Sequence, residues 1–403
     1  MRRLIPWLTL ASVLFANNAR AQECGSAPAE WVFCDDFESS QDQNGNLGLW
    51  DDQGLHPSNL VLTSDTSRVH SGARSLEITA HKGSDTGGGP AKWFLPGQDA
   101  VHVRFWVRFS ANYNYPHHMV NIGANQASNK WSAFGTAGCR PSGSNFFTTS
   151  VEPFNNWGAI SPPGAWGFYT YSVNMQCDPG SSCANYADPQ AICSDCASKG
   201  SPCLNGPECC WGANDMTSPE VISPLAQWVC VEARVEANTG GNANGSQTLW
   251  IDDNQVGTWS NIQFRSDDAL KINSLGLWHY VTDDVYASGQ SEETVWFDDV
   301  VVSTAKIGCG PAAGGAGGSG GSTASGGSTA SGGSTASGGG GTGGAGGGNA
   351  ARKSGDDDGG CGCRTPGTGR APEPLTLPFA LATALLLGCR YRRRSTTGGG
   401  KRS

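Results

Sequence analysis

Positive charge is scarce in the body of this chain. The segment Gln22–Cys309 carries 13 Lys and Arg against 31 Asp and Glu, a net −18. So acidic a surface excludes nucleic acid and anionic lipid headgroups as partners. Long helical periodicity is missing too. No extended 3.6-residue pattern appears, which argues against helical bundles and against folds that alternate strand with helix. Within Gln22–Cys309 there is no Gly-x-Ser-x-Gly elbow, so a serine hydrolase of that type is unsupported. The glycine-rich stretch further on lacks a Lys-Ser/Thr ending, which removes a phosphate-cradling loop.

What is present is a series of short alternating runs punctuated by Gly, Asn, Ser and Pro. Val101–Phe109 alternates for its whole length. Its period of two puts Val101, Val103, Phe105, Val107 and Phe109 on one face and His102, Arg104, Trp106 and Arg108 on the other. Ser75–Ala80, Trp228–Val235, Thr248–Asp252, Ser274–Tyr280 and Thr294–Ser303 behave similarly. Asp252-Asp253-Asn254-Gln255 is a turn between Leu249-Trp250-Ile251 and Val256, a hairpin signal. Such strands without intervening helices predict an all-β fold, a two-sheet sandwich or jelly roll.

The ends of the chain point to export. Arg2 and Arg3 precede the apolar run Leu4–Phe15, and Ala19-Arg20-Ala21 offers a cleavage site before Gln22. Residues 1–21 are therefore expected to be a signal peptide, and export permits disulfides. Twelve cysteines lie between Cys24 and Cys309, an even number able to pair completely. Seven of them, Cys177, Cys183, Cys193, Cys196, Cys203, Cys209 and Cys210, crowd into 174–211, which reads as a disulfide-stapled insertion. Cys193-x-x-Cys196 also has zinc-ligand spacing, but the stretch has no histidine and the compartment is oxidising. The seventh cysteine must pair outside the insertion, with Cys139 the expected partner.

Residues 310–355 form a Gly/Ser/Thr/Ala linker with three copies of Gly-Gly-Ser-Thr-Ala-Ser, starting at Gly320, Gly326 and Gly332. Flexible coil of this length reaches roughly 40 Å. After it come Cys361-Gly362-Cys363, the apolar segment 375–389 and Arg390-Tyr391-Arg392-Arg393-Arg394. Cysteine pair, short hydrophobic stretch and cationic stop, in that order over 356–403, resemble the C-terminal sorting tag of myxobacterial surface proteins. The resemblance implies recognition by a sorting protease at the membrane, processing around Cys361 and Cys363, and anchoring at the cell surface. An ordinary tail anchor is the alternative, although the apolar run is shorter than the roughly 20 residues of a spanning helix.

Within 22–309 a second resemblance is spread over several short motifs. These are Asp35-Asp36-Phe37-Glu38, Val69-His70-Ser71-Gly72-Ala73-Arg74-Ser75-Leu76, Trp228-Val229-Cys230-Val231-Glu232, Leu249-Trp250-Ile251-Asp252-Asp253 and Trp296-Phe297-Asp298-Asp299-Val300. In this order they resemble the concanavalin-A-like jelly rolls of polysaccharide lyases, the group containing glucuronan lyases and a fungal cellulose-induced protein. The resemblance implies a structural Ca²⁺ held by Glu38, Ser71, Arg74 through its carbonyl, and Asp298, with Asp299 as alternate. Carboxylates and carbonyls suit that ion. Solvated strand ends are the plainer reading of these acids.

A uronate lyase needs a group that neutralises the carboxylate, a base for the C5 proton and an acid for the leaving oxygen. The His/Arg/Trp/Arg stripe supplies such types. The expectation is His102 as base, Arg104 as neutraliser and Tyr280 as acid, with Trp106, Arg108, Tyr115, Trp278, Glu232 and Arg234 contacting the sugar. Ordinary cross-strand ion pairs are the competing account. Glycoside hydrolysis is disfavoured, because Arg234 stands between Glu232 and Glu236 and would keep both carboxylates ionised. The expected partner is thus a polysaccharide, met by a monomer. Either a lyase or a non-catalytic carbohydrate-binding module on the same fold fits.

Overall fold

The computed structural model describes residues 23–310 apart from 40–46, 55, 84–87, 157, 180–187, 283–285 and 287. The signal peptide, most of the linker and the sorting tag, with Cys361 and Cys363, lie outside the described residues. In chain order the strands begin with β1 (Trp31–Asp35), β2 (Leu60–Thr63), β3 (Ser75–His81), β4 (Ala91–Gln98), β5 (Ala100–Phe109) and β6 (His118–Asn125). Next come β7 (Phe146–Phe154), β8 (Ala165–Tyr171) and the short β9 (Asp178–Pro179). Helix α1 (Pro189–Ser198) precedes β10 (Glu208–Cys209), β11 (Ala213–Met216) and β12 (Trp228–Glu236). The series ends with β13 (Gly245–Ile251), β14 (Asn254–Ile262), β15 (Ile272–Tyr280) and β16 (Glu292–Ser303).

Two antiparallel sheets face each other as a jelly-roll sandwich. The larger has the order β14-β13-β12-β5-β16-β3-β2, with β1 added against the end of β16. The smaller has the order β11-β8-β7-β6-β15-β4. Alternation explains the interior. Val101, Val103, Phe105, Val107 and Phe109 of β5 are fully buried between the sheets, beside Val229, Val231, Ala233 and Val235 of β12. Across the gap lie Val120, Ile122 and Ala124 of β6, Phe147 and Val151 of β7, Trp166 and Phe168 of β8, and Leu275 and Leu277 of β15. Each Val, Ile, Leu or Phe side chain among them contributes about 1.5–3 kcal/mol on burial.

Phase changes once along β16. Val295 and Phe297 point into the core, but so do Val300 and Val302. The register against β5 shifts between Asp298 and Val301, and Asp299 has φ +47°. A bulge at this point keeps both aspartates off the apolar side. The β13–β14 connection is the expected tight hairpin. Asp252 and Asp253 sit at φ +49° and +65°, the paired left-handed conformation of a type I′ turn.

Disulfides close the edges. Cys24 joins Cys34, Cys230 joins Cys309, Cys139 joins Cys196, Cys177 joins Cys210 and Cys193 joins Cys203. Cys209 is disulfide-bonded as well. Cys139 thus pairs into the insertion. Cys193 and Cys196 belong to different bridges, so they do not form a zinc pair.

Candidate functional site

The polar face of β5 is covered by the protein's own chain. His102 Nδ1 meets Glu232 Oε1 at 2.7 Å, and both side chains are buried. Glu232 Oε1 also accepts the Ile307 N–H at 3.0 Å, while Oε2 accepts the Gly308 N–H at 2.8 Å and lies 3.5 Å from Lys306 Nζ. Burial pushes Glu232 up, but His102, the two amides and Lys306 outweigh it and bring the carboxyl down to about 2. Arg104, 1 % exposed, donates to Glu23 Oε2 at 2.6 Å and Oε1 at 3.1 Å. Trp106 stacks under the His70 ring at 3.7 Å, and Arg108 donates to the Ala226 carbonyl. Arg234 pairs with Glu236 at 2.8 Å.

The trio His102, Arg104 and Tyr280 is therefore divided between the two sheets. β5 carries the first two on the outside of the larger sheet, whereas β15 carries Tyr280 in the smaller one. The stripe is neither a cleft wall nor a solvent face, because residues 305–309, Glu23 and the His70 turn occupy it. Glu232 and Arg234 lie on this same face, away from Tyr280. Tyr115 is in the β5–β6 connection, where its hydroxyl donates to the Ile160 carbonyl at 2.7 Å.

The outer face of the smaller sheet is where chemistry-bearing residues meet. Since Val120, Ile122, Val151, Phe168, Leu275 and Leu277 point inward, the alternate positions of β6, β7, β8 and β15 point outward. Register aligns them in rows. Tyr169 of β8 pairs with Ser150 of β7, Ser150 with Asn121 of β6, and Asn121 with Gly276 of β15. A Cβ on Gly276 would fall 2.0 Å from Trp278 Nε1, so the indole lies over this glycine and beside Asn121. Asn121 donates to Thr148 Oγ1 at 2.5 Å and Ser150 Oγ at 3.3 Å.

One step along the strands lies a second group. His118, paired with Tyr280 across β6 and β15, faces Glu152 Oε1 through Nδ1 at 3.2 Å. The other Glu152 oxygen accepts the Met119 N–H at 3.0 Å. The His118 ring lies 4.8 Å from that of Tyr169 and 6.0 Å from that of Tyr280, tilted about 30° to each. Its side chain keeps 32 % exposure. A neutral ring that donates from Nδ1 to the carboxylate presents its Nε2 lone pair outward, the arrangement a base requires. Burial and the neighbouring Tyr171 raise the Tyr169 phenol well above its ordinary 10, so it stays protonated at neutral pH. Its oxygen accepts the Gly212 N–H at 2.9 Å. Burial and the adjacent His118 lower His117 to about 3, leaving that ring neutral. The rings of His117 and His118 lie 4.4 Å apart instead of diverging as extended chain would place them, because β6 begins only at His118.

Aromatic side chains border the site on its β4 side. Trp93 packs edge-on to Trp131 at 4.5 Å, and Phe134 lies 4.8 Å from Trp131 and 5.5 Å from Trp278. Sequence reasoning named Trp278 and Tyr280 as site residues, but Asn121, Ser150, Glu152, Tyr169 and Tyr171 escaped it. The one signal for them was Tyr-Thr-Tyr at alternate positions of a short strand. Strands β6, β7, β8, β11 and β15 contain no Lys or Arg at all.

The residues proposed for calcium lie at the His70 turn. Glu38 Oε1 accepts the Ala73 and Arg74 N–H groups, both at 2.8 Å, and Arg74 donates to the Glu38 carbonyl. Asp298 Oδ2 accepts from the N–H of His70 and of Ser71, at 2.9 and 3.2 Å. Asp299 binds His70 Nδ1 at 2.7 Å and Ser71 Oγ at 2.8 Å. Burial and the adjoining Asp299 hold Asp298 well above the carboxylate range. Two buried carboxylates side by side, with Glu38 and the Ser71 hydroxyl near the same turn, are oxygen chemistry that fits a hard cation.

No family model matches this sequence, and no curated protein matches it. Solved structures do. An alginate lyase from the marine Aplysia kurodai is similar over 68 % of this chain and 99 % of its own, at 15 % identity and a TM-score of 0.48. An endo-β-1,4-glucuronan lyase from the fungus Trichoderma reesei is similar over 68 % and 96 %, at 16 % identity and a TM-score of 0.41. The cellulose-induced protein Cip1 is similar over 69 % and 100 %, at 16 % identity and a TM-score of 0.38. At this identity the likeness concerns the fold.

Proposed function

We propose that this protein is an exported, surface-tethered polysaccharide lyase whose site is the outer face of the smaller sheet. The observation that carries this reading is the meeting of His118, Tyr169 and Asn121 on one face, with Glu152 orienting the imidazole. They supply the three functions β-elimination requires. Asn121 turns the weaker of its two amide hydrogen bonds, the 3.3 Å one to Ser150 Oγ, from that hydroxyl to the uronate carboxyl as charge builds there. His118 Nε2 takes the C5 proton, the electron pair forms the C4=C5 double bond, and the C4–O4 bond breaks. The Tyr169 hydroxyl gives its proton to O4, and the phenolate recovers a proton from the His118 imidazolium through solvent. Trp278 and Tyr280 offer ring faces for sugars.

The test is incubation of the full-length protein with glucuronan, alginate and pectin while the ultraviolet absorbance of the unsaturated product is followed. A rise that His118→Ala and Tyr169→Phe abolish supports the assignment. No rise with any polymer, but retained binding that Trp278→Ala weakens, would make the protein a carbohydrate-binding module using the same face. We also propose that Glu38, Ser71, Arg74 through its carbonyl, and Asp298 hold a structural Ca²⁺, which would tie the chain after β1 to β16.

A further inference from the structure

We propose that the substrate is a polyuronate esterified at its carboxyls, as methyl esters, so that the sugar being cleaved reaches the smaller sheet uncharged. The inference rests on the reading of this face as a lyase site and names its substrate class. What carries it is where the positive charge lies. All 13 Lys and Arg of 22–309 fall among the described residues. Six of them serve the larger sheet. Arg104 and Arg108 of β5, Arg234 of β12 and Lys306 lie on its outer face. Arg68 reaches Glu77 of β3 at 3.0 Å, and Arg74 donates to the Glu38 carbonyl. Five more are held by carboxylates. Lys92 lies 3.5 Å from Asp51, Arg140 3.3 Å from Glu208 and Lys199 2.5 Å from Asp195, while Arg265 and Lys271 share Asp99 at 2.7 and 2.6 Å. The last two lie over aromatic rings. Lys82, just past β3 in the larger sheet, is 5.8 Å from the Tyr286 ring, and Lys130 is 4.8 Å from that of Trp93. Trp93 pairs with Ser274, whereas His118 pairs with Tyr280 further along the same strand, roughly 20 Å away at about 3.4 Å per residue. Lys130 therefore meets a sugar several places from the one being cleaved.

The groups that do face the site are neutral or negative. Asn121 is an amide, Tyr169 keeps its proton and burial holds the His117 ring neutral. Glu152 brings a carboxylate to 3.2 Å from His118 Nδ1. The row then runs on from Tyr169 to the exposed Asn214 of β11, again an amide. A free uronate would set a second carboxylate near Glu152 with no cation between them, and loss of the C5 proton would load further charge onto it. A methyl ester removes both obstacles. Its carbonyl oxygen takes up the charge as an enolate, for which a single amide donor such as Asn121 is the matching partner. His118 Nε2 takes the C5 proton, the electron pair forms the C4=C5 bond, and O4 leaves with the proton from Tyr169. The ester itself stays intact, so the step needs no co-reactant. The net −18 of the domain repels a polyanion in the same sense.

Two measurements on the full-length protein test this. In the first, pectin, glucuronan and alginate are each prepared in methyl-esterified and de-esterified form, and double-bond formation is followed at neutral pH against enzyme-free blanks. The ester should be cleaved with a kcat/KM about 10²-fold higher, the usual worth of one group that stabilises developing charge. A free acid cleaved as fast as its ester, or faster, overturns the proposal and leaves the lyase reading intact. In the second, binding to the same pairs of polymers is measured at low and high salt, whether or not catalysis occurs. Affinity for the ester should not change, while the free acid should bind weakly at low salt and more tightly as salt screens the domain's charge. Tight binding of the free acid that salt loosens would reveal a cation in the site and overturn the proposal. Asn214→Lys adds a cation at an exposed position of the row. It should tighten binding of the de-esterified polymer and leave the esterified one unchanged; equal effects on both overturn the proposal. If neither form of any polymer is cleaved or bound, the proposed function falls first and the ester inference falls with it.

Discussion

His118 on β6 and Glu152 on β7 meet at 3.2 Å through Nδ1 and Oε1, on the outer face of the smaller sheet. This contact fixes which imidazole nitrogen is presented to a sugar. His118→Ala is expected to lower the elimination rate by about 10²–10⁴-fold, the usual worth of a positioned base. Glu152→Gln keeps the shape but loses the charge that orients and stabilises the imidazolium, so a smaller loss is expected, mainly in kcat. Equal KM for wild type and Glu152→Gln would accord with orientation; a rise in KM alone would point to substrate binding instead.

His102 and Glu232 form a tighter contact, 2.7 Å, on the opposite sheet. Its role is structural. His102→Ala should leave activity within about twofold while lowering stability by roughly 1–3 kcal/mol, since a buried charge-assisted hydrogen bond is lost. The pair also sets an acid limit. Glu232 falls from its ordinary 4.5 to about 2 on folding, so it releases its proton more readily in the folded chain. Its contribution is present above about pH 4.5 and is lost as pH falls towards 2. Glu232→Gln should flatten the acid side of the melting-temperature profile across that window; an unchanged acid limb would show that other groups set it.

The contrast between these two dyads shows what a single sequence exposes. β5 was legible because one face is wholly apolar, and period two then assigns every residue. β7 was not, because Phe-Phe-Thr-Thr-Ser-Val-Glu-Pro is buried on both faces, so no alternation of apolar and polar marks it. The stripe His102/Arg104/Trp106/Arg108 was visible, but what covers it was not. Arg104 is capped by Glu23, 81 residues away, and by the Gly308 carbonyl, 204 residues away. Long-range closure of this kind decides which face of a sandwich remains open, and local pattern carries no trace of it. Cys139 was more tractable, since an odd number of cysteines in the insertion requires an outside partner.

Asp298 and Asp299 bear on the proposed Ca²⁺. If the ion is held, millimolar Ca²⁺ raises the melting temperature and a chelator lowers it, by an amount that grows with the logarithm of free ion. Asp298→Asn removes a charged ligand and should abolish this response. The signature is a Ca²⁺-dependent gap: the melting temperatures of variant and wild type lie further apart in Ca²⁺ than in chelator. Parallel behaviour in both conditions would remove calcium from the account and leave a buried hydrogen-bonded pair.

Glu293 gives a pH dependence of the opposite sign. It is buried at 1 % exposure, with Oε1 accepting from the Asn114 N–H and Gln290 Nε2 while Oε2 has no hydrogen-bond partner. Burial raises its carboxyl from 4.5 to about 8, against the two hydrogen bonds that pull it down. Between those values the folded chain holds a proton that the unfolded chain has released. Stability is therefore fully present below about pH 4.5 and declines as pH rises through 8, by on the order of 3–5 kcal/mol over the window. Asp35, raised to about 7 by its own burial, adds to the same slope at its lower end. Glu293→Gln keeps both accepted hydrogen bonds on Oε1 and has no proton to lose. Its melting temperature should match the wild type near pH 4.5 and exceed it increasingly towards pH 9, with Asp35 leaving a residual slope. If the two profiles run parallel, Glu293 ionises in the folded chain without penalty, and its pocket is wetter than its burial implies.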